Sequence, residues 1–141
     1  MNLIELQFAY SQALDYLRTA LPDMIIYDPY VVASAGGAAV VLGLKETTQD
    51  LDLTIPPNIY DALGELLPLT VVSETCQFKK LQLVINGQLI DVDFHPGNLL
   101  RTNQCHGVWI PSIKYLILER QKLNRPKDQE ILKQLINLSG I

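Results

Sequence analysis

Residues 30–55 read YVVASAGGAAVVLGLKETTQDLDLTI, and this stretch decides the fold. A β-branched run over 30–35 is broken by Gly36 and Gly37, and Ala38 to Leu42 then form a segment too apolar to face water, which predicts a buried helix. Leu51, Leu53 and Ile55 alternate with Asp50, Asp52 and Thr54, so residues 50–55 predict a half-buried strand whose polar face carries both carboxylates. The unit is a strand, a glycine turn, a buried helix and a second strand.

Upstream, Leu3, Leu6, Ala9, Tyr10, Ala13, Leu14 and Leu17 recur at three- and four-residue spacing, which predicts an amphipathic helix over 2–20, closed by Pro22. Downstream, Pro56 and Pro57 end the carboxylate strand, and Asn58 is placed to cap a helix reaching Leu67. Strands follow at 69–74, 80–85 and 88–94, the last two joined by Asn86-Gly87, which favours a type I′ turn and antiparallel pairing. Lys79-Lys80 reads as a solvated pair at a strand start, 95–106 as loop, and 108–110, with Trp109 as an anchor, as a short edge strand. A helix over 112–123, a break at Asn124-Arg125-Pro126 and a last helix from 126 or 127 to 138 complete the chain. The pattern predicts one α+β domain over 1–141: a mixed sheet flanked by helices, with a C-terminal helix pair.

Composition narrows the function. At 48% hydrophobic and 18% charged, the 141 residues can build a core and are too apolar for disorder. Eleven Lys and Arg against fifteen Asp and Glu give a net charge of -4, which argues against a general electrostatic grip on nucleic acid. The apolar stretch 31–44 is interrupted by Ser34 and glycines and falls short of the roughly 20 residues of a membrane span. The N-terminus lacks the basic region of a signal peptide, so a cytoplasmic location is expected. Cys76 and Cys105 lack CxxC spacing and read as reduced thiols.

The chemistry lies in the carboxylates. Asp50 and Asp52 share a strand face with Cα atoms about 6.6 Å apart, and a strand about 4.8 Å away can add Asp91 or Asp93. Three such groups suit two divalent cations about 3.5–4 Å apart, and oxygen ligands favour Mg²⁺ or Mn²⁺ over zinc. Gly36 and Gly37 let the backbone approach a phosphate, and the following helix start adds its N–H groups. These parts fit one reaction: an NTP held at the glycines, in-line attack on its α-phosphorus by an acceptor hydroxyl, and departure of pyrophosphate. The third carboxylate serves as ligand or base. Spacing leaves Asp91 and Asp93 both open, and the His95-Pro96 context leans to Asp93. Because His95 shares their face, Asp91, Asp93 and His95 also allow a metal-dependent hydrolase.

Gly36-Gly37, twelve further residues and Asp50-Leu51-Asp52-Leu53 resemble the signature of the DNA polymerase β-like nucleotidyltransferase superfamily. Thr48 with Asp50 and Asp52 is similar to the Thr-x-Asp-hydrophobic-Asp form of small prokaryotic members, including toxin–antitoxin proteins of the AbiEii type. Leu116-Ile117, Arg120 and Arg125-Pro126-Lys127-Asp128 resemble the C-terminal helix pair of those proteins, and Asp93-Phe94-His95-Pro96 resembles the third-carboxylate strand of small antibiotic nucleotidyltransferases. The resemblance covers about residues 30 to 135 and implies a Mg²⁺-dependent nucleotidyltransferase with ATP or another NTP as substrate. It implies metal-binding Asp50, Asp52 and Asp93 or Asp91, with Gly36, Gly37, Thr48, Arg120 and Lys127 on the nucleotide. The acceptor is a small molecule, a tRNA 3′ end or a protein hydroxyl, and a homodimer or partner chain is expected to complete its pocket. The runner-up is a non-catalytic member that binds nucleotide or a partner protein.

Overall fold

The computed structural model describes residues 1–99 and 101–140. Five strands, β1 (Val32–Ser34), β2 (Leu51–Ile55), β3 (Leu69–Ser73), β4 (Cys76–Ile85) and β5 (Gln88–Pro96), form a mixed sheet in the order β1-β2-β5-β4-β3. Among the described residues, only the central β2–β5 pair of this sheet is parallel; its partners Leu51 and Val92, and Leu53 and Phe94, put one apolar row beside another. A hairpin of β6 (Thr102–Cys105) and β7 (Val108–Pro111) packs β7 beside β1. The fold is α+β, as the sequence pattern predicts.

Helices cover the apolar face. Helix α1 (Leu3–Ala20) begins with a reciprocal capping box between Asn2 and Glu5 and buries Leu6, Ala9, Tyr10, Ala13, Leu14 and Leu17. The Tyr10 hydroxyl donates to the Val31 carbonyl at 2.6 Å, which ties α1 to the start of β1. Helix α2 (Ala35–Val41) is buried as expected, and α3 (Pro57–Leu63) lies against β5. The C-terminal pair, α4 (Ile113–Leu123) capped by Ser112 and α5 (Gln129–Leu138), joins the core through Leu116, Ile131 and Leu135.

Four local readings change. The turn into α2 is made by Ala35 at φ +52°, so Gly36 and Gly37 lie within the helix rather than before it. Helix α3 starts at Pro57, without a cap from Asn58, and stops at Gly64 rather than Leu67. Strand β4 begins at Cys76, because Lys79 lies on the apolar face with 8% exposure. Its ammonium donates to the Tyr60 carbonyl at 2.8 Å and sits 4.2 Å from the centre of that ring, so a charge is accommodated where a solvated one was expected. The supposed loop over 95–106 contains the end of β5 and all of β6, with His106 and Gly107 at φ +52° and +77° repeating the turn geometry of Asn86 and Gly87.

Leu53 is fully buried in β2, whereas Val84 is 67% exposed near the β4–β5 turn. Leu53→Ala is expected to cost about 2–5 kcal/mol in urea unfolding, and Val84→Ala less than about 0.5 kcal/mol.

Candidate active site

Strand register assembles the site. Ser34 pairs with Asp52, Asp52 with Asp93, and Asp93 with Lys80, so four polar side chains form one row across β1, β2, β5 and β4. Asp50 immediately precedes β2, and Asp91 lies two residues before Asp93 on β5. Asp52 accepts from His95 Nε2 at 3.0 Å, and the His95 ring rests against Phe78 with centroids 5.2 Å apart.

The two candidates for the third carboxylate differ in surroundings. Asp91 accepts hydrogen bonds from Gln82 at 3.2 Å and Lys80 at 3.1 Å, which hold its carboxyl below the usual range. Asp93 is 7% exposed, and its Oδ1 is buried without a hydrogen-bond partner. Burial, reinforced by Asp52 and Asp50 and opposed by Lys80 and His95, pushes its carboxyl up to about 6. Asp50 is also raised, by burial first and then by Asp52 and Asp91. Asp91, Asp93 and His95 are not brought onto one point, because Asp91 is held by β4 while His95 binds Asp52.

Beside this row is a depression of about 650 Å³ lined by Gly36, Thr48, Asp50, Asp52, Arg120 and Lys127, with Lys45 and Arg125 adding positive charge. A Cβ on Gly36 would come within 2.6 Å of Thr48 Oγ1, so the glycine lets the Thr48 side chain close onto α2. The Thr48 hydroxyl donates to the Asp50 carbonyl at 3.2 Å. Gly37 is buried and faces Leu51 and Leu6, so its missing side chain serves helix–strand packing rather than approach of a ligand.

Asp128 organises the C-terminal wall. It is fully buried and accepts from Arg120 Nη1 and from the Nε, Nη2 and backbone N–H of Arg125. The Arg125 and Arg120 bonds hold its carboxyl well below the usual range, against the opposing effect of burial. Arg120 is thereby engaged in the helix pair, whereas Lys45 and Lys127 make no ion pair among the described residues. Glu119, with Oε1 buried and unpartnered, is raised by burial; Asp52 adds to this, while Arg120 and the Ala35 amide oppose it. Sequence reasoning missed Lys45 and Glu119, read Lys80 as half of a solvated pair, and met Asp128 only as part of the Arg125-Pro126-Lys127-Asp128 turn.

Among the described residues, no three His, Cys, Asp or Glu side chains already stand together as an ion-binding cluster. The backbone nevertheless aligns hard oxygen donors, and the buried, unpartnered Asp93 Oδ1 beside Asp52 fits a divalent cation. Asp50, Asp52 and Asp93 are the residues that would hold it.

No family model matches the chain, and no curated protein does. Among solved structures, it is similar to a “putative nucleotidyltransferase” from Thermotoga maritima, with a TM-score of 0.48 and 17% identity over 92% of this chain and 93% of that one.

Two outcomes follow from the charges. Asp128→Asn leaves Arg120 buried without its counter-ion and is expected to lower unfolding stability by about 3–5 kcal/mol. Because the Asp93 carboxyl is raised in the folded state, the folded chain keeps a proton that the unfolded chain releases first. Stability in EDTA should therefore fall as pH rises from the ordinary carboxylate range to about 6, and Asp93→Asn should flatten that slope in urea midpoints.

Proposed function

We propose that this protein transfers a nucleoside monophosphate from an NTP to a hydroxyl acceptor, releasing pyrophosphate, with two Mg²⁺ or Mn²⁺ ions as cofactors. The observation that carries the reading is the Asp52–Asp93 pairing, with a buried orphan oxygen on Asp93, next to a depression lined by Lys45 and Lys127. Asp50, Asp52 and Asp93 would hold the cations, which supply Lewis-acid polarisation of the phosphoryl oxygens and charge cancellation.

The remaining work falls to the chain. Lys45 and Lys127 bind and orient the β- and γ-phosphates, and the Gly36–Thr48 contact shapes the floor beneath them. The acceptor oxygen bonds to the α-phosphorus as the bond to the bridging oxygen of the β-phosphate breaks. Asp93, in register with Asp52, is the carboxylate of the row placed to accept the hydroxyl proton. Arg120 and Arg125, joined through Asp128, keep the Lys127 turn against the site. The acceptor belongs to one of three classes: a small molecule, an RNA 3′ end such as that of tRNA, or a protein hydroxyl.

The test is label transfer from α-³²P-NTP in the presence of Mg²⁺ to an acceptor in a lysate. Transfer is expected to vanish in Asp50→Ala/Asp52→Ala and in Asp93→Ala, and to fall less in Asp91→Ala. Transfer that persists in the double variant overturns the assignment.

A further inference from the structure

A sheet edge exposes unpaired backbone groups, and natural sheets guard such edges with bulges, charges, proline or a covering element. Two stretches of edge are guarded here. The outer side of β1 is covered by β7, and β3 carries an irregularity between Val71 and Ser73 that breaks its ladder. A third stretch is not guarded. Strand β3 pairs with β4 only from Cys76 to Lys79, and the Pro68 carbonyl accepts from the Lys80 amide. Beyond that point, among the described residues, Leu81 to Ile85 have a strand neighbour on the β5 side alone. The segment reads Leu-Gln-Leu-Val-Ile, with no charge and no proline.

The free edge borders a second uncovered element. A depression of about 440 Å³ lies between it and the outer side of α1, with Val84 and Ile85 on one wall and Ile4, Phe8 and Ser11 on the other. Ile4 and Phe8, one helical turn apart, are 75% and 55% exposed, and Val84 is exposed as well. Glu5, the charged residue of this lining, is held in the capping box with Asn2. None of these residues lines the carboxylate depression.

Symmetry selects the occupant. Antiparallel pairing of this edge with its own copy requires a two-fold axis perpendicular to the sheet, which keeps the helices of both copies on one side. Residues 81–85 then meet residues 81–85, and no like charges come into opposition. The same axis sets the outer side of one α1 against the other, so Ile4 and Phe8 of both copies leave water together. A lone foreign strand would satisfy the edge but leave that helix side bare. Ile4, Phe8 and Val84, with the strand edge and the helix turns between them, form a surface of the order of the ~800 Å² per partner that a stable two-fold interface needs.

We infer that two copies of this chain associate through the free half of β4 and the outer side of α1, joining their five-stranded sheets into one. The inference stands whether or not the carboxylates are catalytic. Both carboxylate rows then open on the same side of the joined sheet.

The experiment is sedimentation velocity on the full chain from about 1 to 200 μM, with hydrogen exchange followed over residues 81–85 across the same range. A concentration-dependent passage from monomer to dimer is expected, with exchange of the outward amides in Leu81 to Ile85 slowing as the dimer forms. Ile4→Glu and Phe8→Glu should each weaken association by about tenfold or more. Ile4 stands in the first turn of α1, where an acidic side chain favours the helix, so that variant keeps its fold, which circular dichroism checks. Val72→Glu, at an exposed position on β3, should associate as wild type does. A strict monomer throughout, which would leave the edge to a strand of another protein, overturns the proposal. So does a dimer that persists in both helix variants, one that is lost in Val72→Glu, or one that leaves exchange over 81–85 unchanged.

Discussion

The parallel pairing of β2 with β5 is the constraint on which both core and site depend. Leu53 beside Phe94 and Asp52 beside Asp93 are consequences of one register, because side chains alternate between faces. A slip of one residue would turn the carboxylates into the helices and the apolar row toward water. Each buried Leu or Phe contributes about 1.5–3 kcal/mol of burial, and each unpaired buried charge costs several. The register that makes a core therefore also presents a row of carboxylates.

That presentation leaves one group short of partners. Lys80 reaches Asp91, and His95 reaches Asp52, while Asp93 stands between them with an oxygen that no protein donor meets. Lys45 and Lys127 line the adjoining depression together with Asp50 and Asp52. The site thus sets carboxylates and lysines around one depression. Ala35, at the junction, holds a left-handed backbone that ordinarily costs an L-residue about 1–2 kcal/mol.

Local periodicity made much of this legible. The alternation around Asp50 and Asp52 located the carboxylate strand, and Asn86-Gly87 located its neighbour's hairpin, because each signal is contained in a few residues. The second hairpin was hidden because His106 adopts positive φ without being a usual turn residue. The start of β4 was hidden because the burial of Lys79 depends on a Tyr60 carbonyl nineteen positions away. The distinction between Asp91 and Asp93 could not be seen along one strand, since Gln82 and Lys80 on β4 make it. The glycine pair was recognisable, but its roles were not: Gly36 yields to Thr48 and Gly37 to Leu51, both distant in sequence.

The Asp128 clamp has a consequence for how this chain can diverge. Two arginines from the end of α4 and the following turn converge on one fully buried carboxylate, so the fitness of a change at any of the three depends on the other two. Loss of Asp128 strands Arg120 in the interior, and a replacement there becomes tolerable only after Arg120 has itself become neutral. The three positions form one epistatic unit that drifts together or stays still.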